Sequence, residues 1–142
     1  MPQALFAHVD VTELIIKGFY RVYNELGYGF LEKVYENAMD IALRQLGLAV
    51  AQQSKIDVYF DGQVVGEYAA DLVVNDAVIV ELKAARALSA EHEAQLLNYL
   101  KATRYEVGLL LNFGVKAEIK RKAFNNDRKG SLSWTDPSRR SG

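Results

Sequence analysis

The sequence contains no cysteine, and only two histidines and two prolines among its 142 residues. The absence of cysteine excludes disulfides, thiolate nucleophiles and every metal site built on sulfur. Because His8 and His92 are the only imidazoles, a histidine-rich zinc site is excluded as well. A metal bound by this chain must therefore be held mainly by oxygen, which favours Mg²⁺, Mn²⁺ or Ca²⁺.

Long apolar runs are also missing from the sequence. No run reaches the roughly 18 residues that a membrane-spanning helix needs, and the first residues lack the basic-then-apolar pattern of a signal peptide. We therefore expect no membrane segment and, by default, a cytoplasmic location. Half of the residues are apolar and 25% are charged, which suits one folded domain with a single core.

Basic residues are scarce in most of the chain and concentrated near its end. Up to residue 113 there are 9 Lys/Arg against 15 Asp/Glu, and from residue 114 onward there are 8 against 3. A local basic surface can bind phosphates even when the net charge is close to zero, and a solvated, frayed tail is the other interpretation. The candidate nucleic-acid contacts are Lys116, Lys120, Arg121 and Lys122.

Hydrophobic periodicity predicts a mixed α/β fold. The helices are expected at residues 11–26, 30–46 and 89–103, with Thr12 and Ser89 as N-caps of the first and third. The strands are expected at residues 56–60, 64–68, 72–74, 78–82 and 107–113, and residues 118–124 form either an edge strand or a short helix. When the short strands 72–74 and 78–82 are counted with their neighbours, the order is α-α-β-β-β-α-β, which indicates a mixed central sheet flanked by helices. We expect the domain to span residues 1–124, followed by a polar, basic and flexible tail at 125–142.

The segment from Asp71 to Lys83 carries the most chemical information. The apolar strand Val78–Val80 is interrupted by Glu81 and Lys83, which lie two residues apart and so project to one face. Burying such charges is costly unless they are paired or bind a metal. Two nearby carboxylates would repel each other, and a divalent cation would remove that repulsion.

The position of Asp71 depends on the length of the following turn. A three-residue turn at 75–77 places Asp71 directly across from Glu81, whereas a two-residue turn pairs it with Val80 and puts the two acids on opposite faces. A metal site therefore requires the longer turn or a bulge. Otherwise Glu81 and Lys83 are a strand-end ion pair and Asp71 is a turn residue.

Two helices add polar residues to this pattern. Glu32 lies in the first turn of the second helix, where the helix dipole alone would favour a carboxylate. On the third helix, His92, Gln95 and Tyr99 recur at a spacing that places them on one face. A tyrosine at such a position is more often a core residue than a site residue, but a glutamine beside it is less easily explained by packing.

Taken together, these motifs resemble the GxxExxY family of the PD-(D/E)XK nuclease superfamily. The family name describes Gly29, Glu32 and Tyr35, and the resemblance extends over residues 11–124. It includes the segments LGYGFLEKVYENA, VIVELKA and HEAQLLNYLKAT. Ala70 stands where the superfamily name has proline, whereas the acidic and basic positions are intact.

The resemblance implies a fold, a metal and a set of roles. It implies the PD-(D/E)XK core and a Mg²⁺ or Mn²⁺ site formed by Asp71, Glu81 and the backbone carbonyl of Leu82. Lys83 would be the catalytic lysine, and Glu32 an acid that assists the metal directly or through water. The residues implied beside the substrate are Gln95, Tyr99, His92 and Tyr35.

We therefore expect a metal-dependent phosphodiesterase, most simply a DNA nuclease. One alternative is a nucleic-acid-binding or regulatory module that keeps the fold without cutting and uses the basic segment for phosphate contacts. The other is a protein-interaction subunit, which the eight tyrosines would suit. A homodimer is compatible with any of these functions.

Overall fold

A computed structural model of the protein describes residues 8–130, 134 and 135. The helices are α1 (Val9–Leu26), α2 (Glu32–Gln45) and α3 (Ala90–Lys101). The strands are β1 (Val50–Phe60), β2 (Gln63–Val74), β3 (Val78–Lys83), β4 (Val107–Phe113) and β5 (Ala117–Ala123). The order α1-α2-β1-β2-β3-α3-β4-β5 confirms the predicted fold class, with one strand added after β4.

The five strands form one sheet in the order β1-β2-β3-β4-β5. Only β3 and β4 run parallel, and α3 is the crossover between them. The other neighbouring strands are antiparallel. Because every residue of β3 and β4 except Lys83 is buried, the middle of the sheet is buried on both faces.

Helices cover the sheet on both sides. The helices α1 and α2 pack on one face through a cluster that includes Ile15, Phe19 and Met39 with Leu72, Val80 and Leu109. On the other face α3 packs through Leu96, Tyr99 and Leu100. Helix α1 packs through an apolar stripe, since Ile15, Phe19 and Val22 are all in the core.

The largest difference from the predicted elements is in the first hairpin. Strand β1 starts at Val50 and β2 is continuous, whereas sequence patterns gave three short strands over this region. The residues that the prediction missed, 50–55 and 69–71, are mostly polar or alanine and show no apolar alternation that could reveal a strand. For residues 118–124 the sequence allowed either an edge strand or a short helix, and most of them lie within strand β5.

The predicted cap of the first helix is wrong. Helix α1 begins at Val9, and Thr12 lies inside it with its hydroxyl donating to the Val9 carbonyl at 3.1 Å. The same hydroxyl accepts a hydrogen bond from Arg121 at 2.7 Å and so ties α1 to β5. For α3 the predicted cap is confirmed, because the Ser89 side chain accepts from the backbone N–H of His92.

Part of the predicted tail packs against the domain. Lys129 is 1% exposed, and its ammonium donates to the carbonyls of Thr103 and Tyr105 at 3.0 and 2.8 Å. Trp134 is anchored as well, since its carbonyl accepts from Tyr59 N–H at 2.8 Å. Residues 131–133 and 136–142 of the tail lie outside the described residues. Within the described part of the chain, no helix combines the length and apolarity needed to cross a membrane.

A close approach at Gly108 gives a first testable prediction. A Cβ at this position would lie 2.7 Å from Cδ1 of Leu96, which is fully buried. We expect Gly108→Ala to destabilise the fold by about 1–3 kcal/mol through overpacking, measured by urea denaturation. In a Leu96→Ala background the same change should cost much less, because the clashing side chain is gone. Equal costs in both backgrounds would contradict close packing of α3 on β4.

Candidate active site

The turn between β2 and β3 decides where Asp71 lies. Val74 pairs with Val78 and Leu72 with Val80, so the turn consists of residues 75–77. This is the longer of the two predicted turns. The turn requires left-handed backbone at Asn75 and Asp76, with φ of 53° and 48°. Asn and Asp tolerate this conformation better than most residues. Continuing the register places Asp71 beside Glu81.

Asp71 and Glu81 hold each other through the backbone. The N–H of Asp71 donates to Oε2 of Glu81 at 2.7 Å, and the N–H of Leu82 donates to Oδ2 of Asp71 at 2.8 Å. Each carboxylate is thus fixed by the strand that carries the other. Glu81 is only 4% exposed, so these bonds stabilise a charge that little water reaches.

Burial raises the pKa of both acids, and the charge of a neighbouring carboxylate adds to each increase. Burial, followed by the charge of Asp71, raises the pKa of Glu81 to about 8. Burial also raises the pKa of Asp71, against the hydrogen bond from Leu82, and the charge of Glu36 adds to the increase. Two acids that resist carrying charge together form a site where a divalent cation would be strongly favoured.

Lys83 and α3 complete this face of the site. The ammonium of Lys83 donates to Oε1 of Gln95 at 3.3 Å, which brings together two of the predicted residues. Tyr99 lies one turn further along α3 and is 6% exposed. Burial, with the charges of Glu81 and Asp71, raises the pKa of Tyr99 to about 12, so its hydroxyl stays neutral near the acids.

A further acid, Glu36, was not predicted from the sequence. It is 4% exposed on α2, where its carboxylate accepts from Gln52 at 2.8 Å and from Gln53 at 2.7 Å. The amide of Gln53 also reaches Oδ1 of Asp71 at 3.3 Å. The available signal was the i, i+4 spacing from Glu32, which places both acids on one side of the helix. The partner glutamines, however, become neighbours only in the folded sheet.

The left-handed backbone of Gln53 explains how residues from both faces of the sheet come close to Asp71. Gln53 has φ of 50° and interrupts the pairing of β1 with β2 opposite Asp71. On one side of this irregularity, Val50 and Leu72 pack with α1 and α2. On the other side, even-numbered residues of the same strands pack with α3. The side chains of these two strands therefore change from one face of the sheet to the other near Asp71. As a result, Asp71 is linked to α2 through Gln53 and also lies near the face that α3 covers.

The other predicted helical residues have different positions. Glu32 is exposed at the start of α2, and its charge is close enough to add to the raised pKa of Glu81. The prediction that Tyr35 contacts substrate is corrected, because its side chain is fully buried. Its hydroxyl donates to Gly27 O at 2.7 Å, and its ring stacks on Phe113 at 4.1 Å.

The structure gives His92 a capping role at the start of α3. Its Nδ1 accepts a hydrogen bond from the Ser89 N–H at 3.1 Å, which completes a capping box at the start of α3. This capping role accounts for an imidazole at the third helical position, and the place beside the substrate predicted for His92 stays a prediction. His92 is therefore a capping residue in this structure.

The predicted basic residues do not share one surface. Arg121 bonds Thr12 on the side of α1, whereas Lys122 forms an ion pair with Glu93 of α3. Lys120 on β5 and Lys116 in the turn before it are both exposed. Since three of the four belong to β5, removing this segment would remove a strand of the sheet, and their role must be tested by point substitution.

The donor set suits a hard, hydrated cation. No group of three or more His, Cys, Asp or Glu side chains that could hold a metal occurs among the described residues. The set consists instead of Asp71 and Glu81, each with one oxygen not bonded to the backbone of the facing strand. Mg²⁺ is commonly bound by one or two carboxylates and keeps several waters. The residues present therefore fit Mg²⁺ better than a metal that needs a full protein cage.

A family model described as the PD-(D/E)XK nuclease superfamily matches residues 9–122, which include both acids, Lys83 and all of α3. The crystal structure of SSO0001 is similar with a TM-score of 0.45 and 13% sequence identity, covering 83% of this chain and 67% of that chain. No curated protein sequence matches the chain.

The raised pKa of Glu81 predicts how stability depends on pH. The folded protein holds a proton on Glu81 up to about pH 8, whereas the ordinary carboxyl releases it near 4.5. Without divalent cations, stability should therefore fall as pH rises from about 5 to 8, on the order of 3 kcal/mol. Thermal melts should show this fall, and Mg²⁺ should reverse it at pH 8.

A matched pair of variants separates this effect from general titration. Glu81→Gln should remove most of the pH dependence and the response to Mg²⁺, because its amide cannot ionise. Glu13→Gln, which removes an exposed carboxylate of α1, should behave as the wild type. A Glu81→Gln protein that retains the full dependence would show that the buried acid pair is not its source.

Proposed function

The chain belongs to the PD-(D/E)XK nuclease superfamily, and we propose that it is a Mg²⁺- or Mn²⁺-dependent phosphodiesterase that cleaves nucleic acid, most simply DNA. The observation that carries the proposal is the reciprocal bonding of Asp71 and Glu81, with Lys83 following on the same strand. The pattern Gly29-x-x-Glu32-x-x-Tyr35 further supports placing it in the GxxExxY family.

In this proposal Asp71, Glu81 and the carbonyl of Leu82 hold the cation, with Glu32 acting on it through water. When bound, the cation supplies charge neutralisation and Lewis acidity at the phosphate. The two acids are held by the backbone at adjacent positions, so the site is preorganised before substrate arrives. Little side-chain entropy then remains to be lost on binding.

Lys83 acts on the reacting phosphate in the same scheme. Its Nζ, held by Gln95, orients the attacking water and offsets the negative charge that develops on the phosphoryl oxygens. The water oxygen forms a bond to phosphorus while the bond from phosphorus to the leaving sugar oxygen breaks. One proton of the water is released, and the leaving oxygen is protonated. The products are a phosphate monoester and a sugar hydroxyl.

Gln53 and Glu36 are positioning residues in this scheme. The Gln53 amide links Glu36 to Oδ1 of Asp71, the oxygen of Asp71 that Leu82 leaves free. By fixing that oxygen, the amide would set the direction in which Asp71 presents its charge. Groups that orient a metal ligand typically change metal affinity by about 10- to 100-fold when they are removed.

The proposal predicts cleavage that depends on the site residues. Purified protein with Mn²⁺ should cut at least one of linear duplex, single-stranded, branched or RNA substrates. Asp71→Asn and Lys83→Met should each reduce the rate by roughly 100-fold or more, since both act in the transition state. The measurement is gel-resolved cleavage of labelled substrates, with folding checked by circular dichroism.

The control for this experiment is Lys17→Met, which removes an exposed ammonium from α1 on the opposite face of the sheet. Its rate should equal that of the wild type. If wild-type protein cuts none of the four substrate classes with Mn²⁺, the nuclease proposal fails, and a module that binds nucleic acid without cleaving it becomes the better explanation. Cleavage that survives Asp71→Asn would indicate a different site or a contaminant.

A separate prediction tests the role of Gln53. Gln53→Gly keeps the left-handed backbone accessible, because glycine adopts it without strain, but removes the amide. We expect stability to change little and Mn²⁺ affinity to fall by about 10- to 100-fold, measured by the electron paramagnetic resonance signal of free Mn²⁺. Unchanged affinity in Gln53→Gly would mean that the amide does not position Asp71.

A further inference from the structure

A groove beside the candidate active site has no role in the scheme above. It lies between the β1–β2 hairpin and α3 and encloses about 760 Å³. Its apolar lining includes Val58, Tyr68, Tyr99, Ala102 and Trp134. A volume of this size falls in the range of small-molecule and cofactor sites, about 300–1,000 Å³. It can therefore accept one or two planar groups the size of a nucleobase.

The groove is continuous with the reaction site. Gln95 and Tyr99 line it, and the same Gln95 accepts from the ammonium of Lys83. A polymer bound with one phosphate at the acid pair would thus have an adjacent residue at the mouth of the groove.

The aromatic rings of the groove are held in place while their faces stay available. The indole N–H of Trp134 donates to the Lys101 carbonyl at 2.6 Å, which fixes the ring at the end of α3. Tyr68 is 50% exposed although it lies within 5.7 Å of the Tyr99 ring. A half-exposed aromatic side chain beside a rigid one forms a surface on which a flat ring can stack.

Charge argues that this surface takes a base rather than a phosphate. Among the described residues, the groove has one acid and one base, Glu91 and Lys101, which together offer no net attraction to an anion. The side-chain amides of Gln95 and Asn98 supply hydrogen-bonding groups at the same wall. This combination of apolar faces and a few polar groups matches the faces and edges of a nucleobase.

We propose that the groove binds an unstacked base next to the scissile phosphate, so that the substrate is a single-stranded or frayed segment of nucleic acid. The inference rests on the proposed function, since it takes the acid pair as the place where the phosphate binds. Bases within an intact duplex are stacked on their neighbours, and extruding one costs energy that a single strand does not require. Tyr68 and Trp134 are then the residues that select the single strand.

The sequence contains one tryptophan, Trp134, and this makes the inference directly measurable. Wild-type protein without divalent cations is titrated with a single-stranded oligonucleotide of about 12 nucleotides, as DNA and as RNA, and with the same sequence as a blunt duplex. Tryptophan fluorescence should be quenched by the single strand and not by the duplex. The DNA and RNA arms identify which nucleic acid is preferred.

Three variants make the result specific to the groove. Tyr68→Ala should weaken single-strand binding by about tenfold, the effect of losing one stacking partner, whereas Tyr68→Phe keeps the ring and should bind as the wild type. Tyr20→Ala removes a half-exposed tyrosine from α1 and should also bind normally. Melting temperatures exclude a folding defect. With Mn²⁺, Tyr68→Ala should also lose the preference for cleaving single strands over duplex.

The outcomes separate this inference from the proposed function. Cleavage by wild type with the same strand preference in Tyr68→Ala would overturn the groove proposal and leave the nuclease intact. Tyr68-dependent quenching without any cleavage would support the groove and overturn the nuclease. If light scattering shows a dimer that Tyr68→Ala converts to a monomer, and fluorescence does not respond to oligonucleotides, the groove is an interface between copies and the proposal is overturned.

Discussion

Two carboxylates on adjacent strands, Glu81 buried and Asp71 partly buried, are a constraint that the surrounding structure has to satisfy. Asp71 and Glu81 each accept a backbone N–H from the strand that carries the other, and each would otherwise be a charge removed from water without compensation. Even with these bonds, burial raises the pKa of Glu81 to about 8. The pair is therefore more stable with a positive charge nearby, which the proposed cation would supply.

The irregularity at Gln53 brings residues from α2 and from the face covered by α3 close to this pair of acids. An uninterrupted pair of strands would keep each side chain on one face, so α2 and α3 could not both contribute to one site. The left-handed residue exchanges the faces of β1 and β2 opposite Asp71. A local backbone strain of this kind costs on the order of 1–3 kcal/mol, and its position beside the acids suggests that it is retained for the site rather than for the sheet.

The groove next to the site is proposed to recognise bases, which the acid pair does not contact. Phosphates are common to all nucleic acids, so the acid pair and Lys83 cannot distinguish one strand form from another. Discrimination has to come from groups that meet the bases, and the described surface near Gln95 offers aromatic rings of that kind in Tyr68 and Trp134. Catalysis and selection would then occupy adjacent parts of the face that α3 covers.

The sequence by itself determined the strands and helices with strong apolar periodicity, the oxygen-based character of any metal site, and the grouping of Glu81 with Lys83, because these depend on local spacing. The sequence also limited the turn between the strands of Asp71 and Glu81 to a length of two or three residues. Only the tertiary structure decided which turn forms, that Tyr35 is buried and His92 is a cap, and that Glu36 reaches Asp71 through Gln53. Those contacts join residues that are far apart in the chain, so no local pattern predicts them. They depend on the twist of the strands and on the face of the sheet against which each helix packs.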